Sequence, residues 1–346
     1  MRPQVLLVVI TLAIFGTIGA ARLLRSVRQN SQQHQASAAS PPAESDESVW
    51  SELTEHHRPV RSSNPSGFIP GPYERLVAIS APYALCHQDP WDRLTCSDID
   101  ETRDMLAHTW DIHSRTDLLA QIFWLITPGN RGEFGAERAR WVDASLAEAD
   151  YQELRETGTA TQDATEMLWR LERMRNNDRG IQNVDFLAWD MVRAAMLTRC
   201  GAALNWLQEA EACDTLALLD QALRTRYQNW SHVWESFRLG RWYWYSEAGE
   251  DEHFNDLHDL NRSLVLLGPD GPWGLIDWDV ETPEPSFLIL DDLLDAGVAA
   301  PLSAGDRKRA THWERWVDDQ VIARGQHRPQ HFGTHTDQHH RFAKRA

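Results

Sequence analysis

A chain of 346 residues has ample length for one large domain or two modest ones. Its formal net charge of −17 argues against nucleic acid as a partner, because polyphosphate would be repelled. The four cysteines form no CxxC pair and have no metal-ligand spacing, so neither a zinc site nor a disulfide scaffold is expected. Cys86 and Cys96 are close enough in sequence to pair across a short loop in an oxidising compartment.

Val5–Ala21 is uncharged and apolar. At ~1.5 Å per residue it spans about 25 Å, enough for a thin hydrocarbon core. Arg22, Arg25 and Arg28 follow at once and outweigh Arg2 ahead of the run. By the positive-inside rule residues 1–28 are therefore expected to be an uncleaved single-pass anchor in a bacterial inner membrane, with the rest of the chain cytoplasmic. The competing expectation is a cleaved export signal ending at Gly19-Ala20-Ala21, which places the domain in the periplasm. Gln29–Ser66 is rich in Gln, Ser, Ala and Pro and reads as a disordered linker.

The folded domain is expected over residues 67–324. Pro72 suits the first turn of a helix reaching about Leu85. Asp98 and Ser114 look like N-caps of two further helices, the second closed by Pro128-Gly129-Asn130. Phe134–Arg155 reads as one amphipathic helix, and Thr161 opens another that stops at Asn176–Gly180. Glu250–Asp259 reads as an acidic helix or loop. Leu264–Leu267 and Trp273–Trp278, around Gly268-Pro269-Asp270-Gly271, suggest either a small β-hairpin or a helix end followed by a loop. Phe287–Leu294 and Arg307–Ile322 add two more helices. The period is near 3.6 throughout, so the fold class is all-α, with that hairpin as its single candidate β element. Residues 325–346 form a polar, His-rich, basic tail.

The domain is organised around Val184–Cys200 and Asn229–Tyr245. The first is apolar almost all round, which marks a buried helix. In the second, Trp230, Val233, Trp234, Phe237 and Trp244 form a stripe that also includes Gly240 and Arg241. A glycine inside a helix costs about 1 kcal/mol relative to alanine, so Gly240 implies the close approach of a neighbouring helix. Between these helices, Ala212, Leu216, Leu219, Leu223 and Tyr227 make the stripe of an ordinary amphipathic one. Asp190 falls in the most apolar stretch, and an unpaired charge there is too costly. It is expected to pair with Arg193, Arg241 or both, as a register-setting core feature. The alternative is a cleft in which these groups bind an anion, with Trp189, Trp242 or Trp244 as a wall.

Ala188-Trp189-Asp190 with Arg193, Trp230, Leu239-Gly240-Arg241 and Trp244 resemble a bacterial family known as domain of unknown function 1266. Trp110-Asp111-Ile112 and Pro272-Trp273 with Trp278 are similar to its flanking motifs, so the resemblance covers about Leu76–Asp279. At Asn205-Trp206-Leu207-Gln208 the family's serine-type cap is absent, which leaves the start of the following helix open. The resemblance implies no established activity, ligand or cofactor. It points to a chaperone-related protein partner, since some relatives are encoded near Hsp70 and J-domain chaperones.

His327, His331, His335 and His339 recur every fourth residue, but Pro329 and Gly333 interrupt any helix, and a solvated tail explains them. No P-loop, GxGxxG or GxSxG occurs. The expectation is a membrane-tethered, non-enzymatic protein-interaction module without metal or cofactor. An enzyme or small-ligand receptor that uses Asp190, Arg193 and Arg241, with Trp189, Gly240 and Trp244 beside them, is the alternative.

Overall fold

The computed structural model describes residues 60–157, 162–245 and 250–327. The anchor expected at residues 5–21, and nearly all of the expected linker and His-rich tail, lie outside these residues. No described helix is long and apolar enough to cross a membrane. Numbered from the first described element, the helices are α1 (Pro72–Ala78), α2 (Ala81–His87), α3 (Ile99–Trp110), α4 (Arg115–Ile126), α5 (Gly129–Trp141), α6 (Ala144–Thr157) and α7 (Gln162–Asn176). After a 3-10 segment at Asp178–Asn183 come α8 (Leu187–Ala203), α9 (Glu209–Arg226), α10 (Trp230–Tyr245) and α11 (Glu250–Leu267). The chain closes with α12 (Pro272–Leu275), α13 (Leu290–Asp295), α14 (Ala304–Arg309) and α15 (His312–Gln326). The architecture is all-α, with no strand among the described residues.

Helix α8 is the axis. Fourteen of its seventeen residues are buried, because α4, α9 and α10 pack around it and α2 and α5 close the remaining sides. The α9 stripe of Ala212, Leu216, Leu219, Leu223 and Tyr227 is buried as its spacing implied. Its start is held without a serine cap: the Glu211 carboxylate accepts from the Gln208 N–H at 2.7 Å. On α10, Trp230, Val233, Trp234 and Phe237 are buried, and Trp230 stacks on Trp273 with ring centroids 5.2 Å apart.

Several boundaries differ from the sequence reading. The candidate hairpin is a helix end: Leu264–Leu267 complete α11, and Gly271 N–H bonds to Gly268 O at 2.9 Å to lead into α12. Exposed Leu260 and Leu264 lie four apart, and buried Leu257 and Asn261 do too, which is the helical period. A four-residue apolar run carries too little periodicity to decide this alone. The stretch Phe134–Arg155 is split at Asp143, whose carboxylate accepts from Ser145 N–H at 2.9 Å and starts α6. The first helix breaks into α1 and α2 at Ser80. Before α1, Asp92 accepts from Ser62 Oγ at 2.6 Å and from the N–H groups of Ser63 and Asn64, docking residues read above as the end of the linker. The last helix reaches Gln326.

Candidate functional site

Asp190 is fully buried and sits where two helices meet end to end. The turn Pro128-Gly129-Asn130, read as a stop signal, joins α4 to α5 with only two residues between them. The exposed carbonyls of a helix C-terminus and the free N–H groups of a helix N-terminus both need partners. Asp190 supplies one set, accepting from Asn130 N–H at 2.9 Å and Arg131 N–H at 3.1 Å. Arg131 supplies the other, donating to the carbonyls of Leu125 at 2.7 Å, Ile126 at 2.5 Å and Thr127. The two caps are then joined by an Arg131–Asp190 ion pair at 3.0 Å. Gly129 has φ +52°, and a Cβ there would come within 2.5 Å of Asp190 Cγ, so only glycine fits. Burial pushes the Asp190 carboxyl up, against the charge of Arg131 and the donated N–H groups.

The expected partners of Asp190 are therefore corrected. Its neutralising guanidinium is Arg131, from the turn 59 residues earlier, and not Arg193 or Arg241. Arg241 does need an anion, and finds it in Asp259 at 3.1 Å, with Asn255 Oδ1 at 2.8 Å. The reason is direction: Arg241 faces α11, whose acidic face is turned inward at Asp259, while Asp190 points along α8 toward α5. Gly240 behaves as its helix context implied, since a Cβ there would lie 2.9 Å from Trp189 Cβ. Trp244 carries the Arg170 guanidinium 4.2 Å above its ring, and Trp242 is buried between Arg173 and Arg179. Of the candidate walls, only Trp189 touches the site of Arg193.

Arg193 is the member of the set that is not used up. Its guanidinium lies 4.5 Å from the Trp110 ring and 4.9 Å from the Trp189 ring, a slot between two indoles. It donates to Asn130 Oδ1, and the Tyr83 phenol acts on it from α2. These contacts are neutral, and Asp190 and Glu133 act on it only through space. Arg193 and Tyr83 are half-buried and Glu133 is exposed, so water reaches all three. Yet burial is the first cause of each shift: it lowers Arg193, raises Tyr83 and raises Glu133, which the charge of Glu137 lifts further. A guanidinium, a phenol and an indole wall together have the chemistry to seat a carboxylate or phosphate.

Residues 105–278 match the family described as "Protein of unknown function (DUF1266)". The chain belongs to this family. Two relatives from Escherichia coli (strain K12) align with it: "Uncharacterized protein YbeR", 31% identical over 157 residues, and "Uncharacterized protein YbeU", 26% identical over 197 residues. These alignments cover 45% and 51% of this chain, and 62% and 73% of the relatives. The chain thus spans about three-fifths of YbeR's length. No solved structure matches. The family region of this DUF1266 chain holds α5, α8 and α10, and with them both Asp190 and Arg193.

Sequence reasoning missed Asn130, Arg131, Tyr83, Glu133 and Asp259. A signal existed for two of them: a Gly-Asn-Arg turn directly before a helix offers donors that a buried aspartate elsewhere must answer. Tyr83 and Asp259 sit on other helices and share no spacing with α8. Among the described residues, no three His, Cys, Asp or Glu side chains are grouped as metal ligands.

Proposed function

We propose that this DUF1266 protein is a non-enzymatic, helical interaction module held at the bacterial inner membrane by residues 5–21, with its domain in the cytoplasm. Its site at Arg193 takes a carboxylate or phosphate of the partner. The observation that supports this reading is Arg193 itself: a half-buried arginine whose guanidinium is clamped between Trp110 and Trp189 and donates to the neutral Asn130 amide. Asp190 and Arg241 are committed to helix capping and to Asp259, so they hold the site in place and do not meet the ligand. The tether rests on the apolar run at residues 5–21 and the arginines that follow it.

The test is crosslinking in native membranes followed by mass spectrometry, comparing the natural chain with Arg193→Gln. A recurrent partner should be captured by the natural chain and lost in the variant, and an unchanged set of partners overturns the reading. Reporter fusions after residue 66 should give low alkaline-phosphatase activity, and high activity moves the domain to the periplasm. A second reading, an enzyme acting on an anionic substrate, is favoured by Glu133: a carboxyl raised by burial and by the charge of Glu137, on the helix that follows Asn130, suits a general acid. Turnover of any bound phosphate ester or carboxylate that Glu133→Gln abolishes, with binding retained, would establish that reading.

A further inference from the structure

A cavity lies beside the C-terminal half of α8, and Tyr83, the neighbour of Arg193, is part of its lining. It has a volume of about 30 Å³ and is lined by Cys96, Thr102, Met196, Arg199 and Cys200. That is room for a ligand of one or two heavy atoms. All four cysteines are free, and the short-loop pairing of Cys86 with Cys96 is not formed: Cys86 is exposed, and Cys96 instead shares the lining of this cavity with Cys200. Cys96 is half-buried at the cavity, whereas Cys200 lies beneath it with its Sγ 3.7 Å from Met196 Sδ. Arg199 is 2% exposed and donates to Pro90 O at 3.0 Å and Trp91 O at 3.1 Å. Its Nε–H has no partner. An orphaned buried donor beside two sulfurs calls for an oxygen or an anion, and its positive charge disfavours a soft metal cation.

We propose that Cys96 is a peroxide-reactive thiol and Cys200 its resolving partner, so that a hydroperoxide converts the pair into a Cys96–Cys200 disulfide. The Cys96 thiolate attacks the peroxide oxygen; an S–O bond forms, the O–O bond breaks, and the leaving oxygen departs as an alcohol, or as water from hydrogen peroxide, after taking a proton from solvent. Cys200 sulfur then attacks Cys96 sulfur, the S–S bond forms, and the hydroxyl leaves as water with the Cys200 proton. Two thiols lose two electrons to one peroxide. The division of labour fits the surroundings. Contact with Cys200 holds the Cys96 thiol below the usual thiol range, against burial and the charge of Asp89, with Arg199 adding to it. The same contact and burial hold Cys200 well above that range. Of two neighbouring thiols, the more accessible one with the lowered pKa reacts first.

The experiment titrates the reduced full chain with hydrogen peroxide, quenches with an alkylating agent and maps the peptides by mass spectrometry. Exposed Cys86 and half-buried Cys213 serve as references within the same molecule. Cys96 and Cys200 should disappear together into one cross-linked peptide pair, at least ~10-fold faster than Cys86 is oxidised, and reductant should restore both. Cys200→Ala should stop at a Cys96 sulfenic acid that dimedone traps. If that variant does not fold, the rate comparison within the natural chain decides. Oxidation of Cys86 as fast as Cys96, or a cross-link from Cys96 to any cysteine except Cys200, overturns the proposal.

Discussion

Arg75 and Arg193 are both arginines held between two tryptophans, and the contrast between them separates a structural charge from an available one. Arg75 lies 4.8 Å from the rings of Trp230 and Trp278, and its side chain and that of Asp220 are fully buried. Asp220 accepts from its Nε at 3.1 Å and also takes Arg224 Nε at 2.8 Å and Thr282 Oγ1 at 2.9 Å. The charge of that arginine is answered by a fully buried carboxylate from within the chain. Arg193 has the same aromatic slot, but the place of the carboxylate is taken by the Asn130 amide and the Tyr83 phenol. An indole slot shows only that a guanidinium is held. Whether the chain also brings the anion decides if the site is closed or waits for a ligand.

The comparison breaks first at the junction that positions Asn130. Gly129→Ala forces a Cβ into the Asp190 carboxylate, and Asp190→Asn leaves Arg131 without its buried counter-charge. Each should cost about 3–5 kcal/mol in urea unfolding; a loss below ~1 kcal/mol would show that the junction does not hold the core. Next come the two arginines themselves. Arg75→Met takes away the fully buried partner of Asp220, leaving it Arg224 and Thr282, and should cost about 3 kcal/mol. Arg193→Met loses two cation–π contacts and should cost only about 1–2 kcal/mol, while removing any thermal shift produced by phosphate or citrate. Equal destabilisation by both changes would make Arg193 a second structural arginine. Gly240→Ala pushes against Trp189, one wall of the Arg193 slot, and should cost about 1–3 kcal/mol. It should weaken the anion response without touching the Arg75 site.

The smallest effect is in pH. The Glu133 carboxyl is raised, so as pH falls through that raised value it becomes neutral on the folded protein and ceases to repel an incoming anion. The anion-induced thermal shift should therefore grow as pH falls toward the carboxylate range. In Glu133→Gln the dependence should flatten. A shift that shrinks as pH falls would remove Glu133 from the site.

The family motif and the helical stripes were legible early because both are local. Trp189, Asp190 and Arg193 stand on one apolar helix, and Gly240 announces a close contact whichever helix supplies it. That Asp190 would be buried and paired also followed, since an unpaired core carboxylate is too costly. Its partner did not follow, because three arginines satisfy the same electrostatic demand and the sequence does not say which way each side chain points. Arg131 was hidden inside what read as a terminator. Pro-Gly-Asn marks the end of one helix in any context, but only the packing of α8 against it shows that the next helix starts there.

The chain's own pattern determined an all-α domain with α8 and α10 at its centre, because apolar periodicity and caps act over a few residues. Tertiary structure alone decided which charges cancel. Ion pairing depends on distances between residues on different helices, 59 positions apart for Arg131 and Asp190 and 18 for Arg241 and Asp259, and a side chain's reach is set by the angles at which helices cross. That choice left Asp190 sealed, Arg241 spent on Asp259, and Arg193 between two indole rings without a carboxylate in contact.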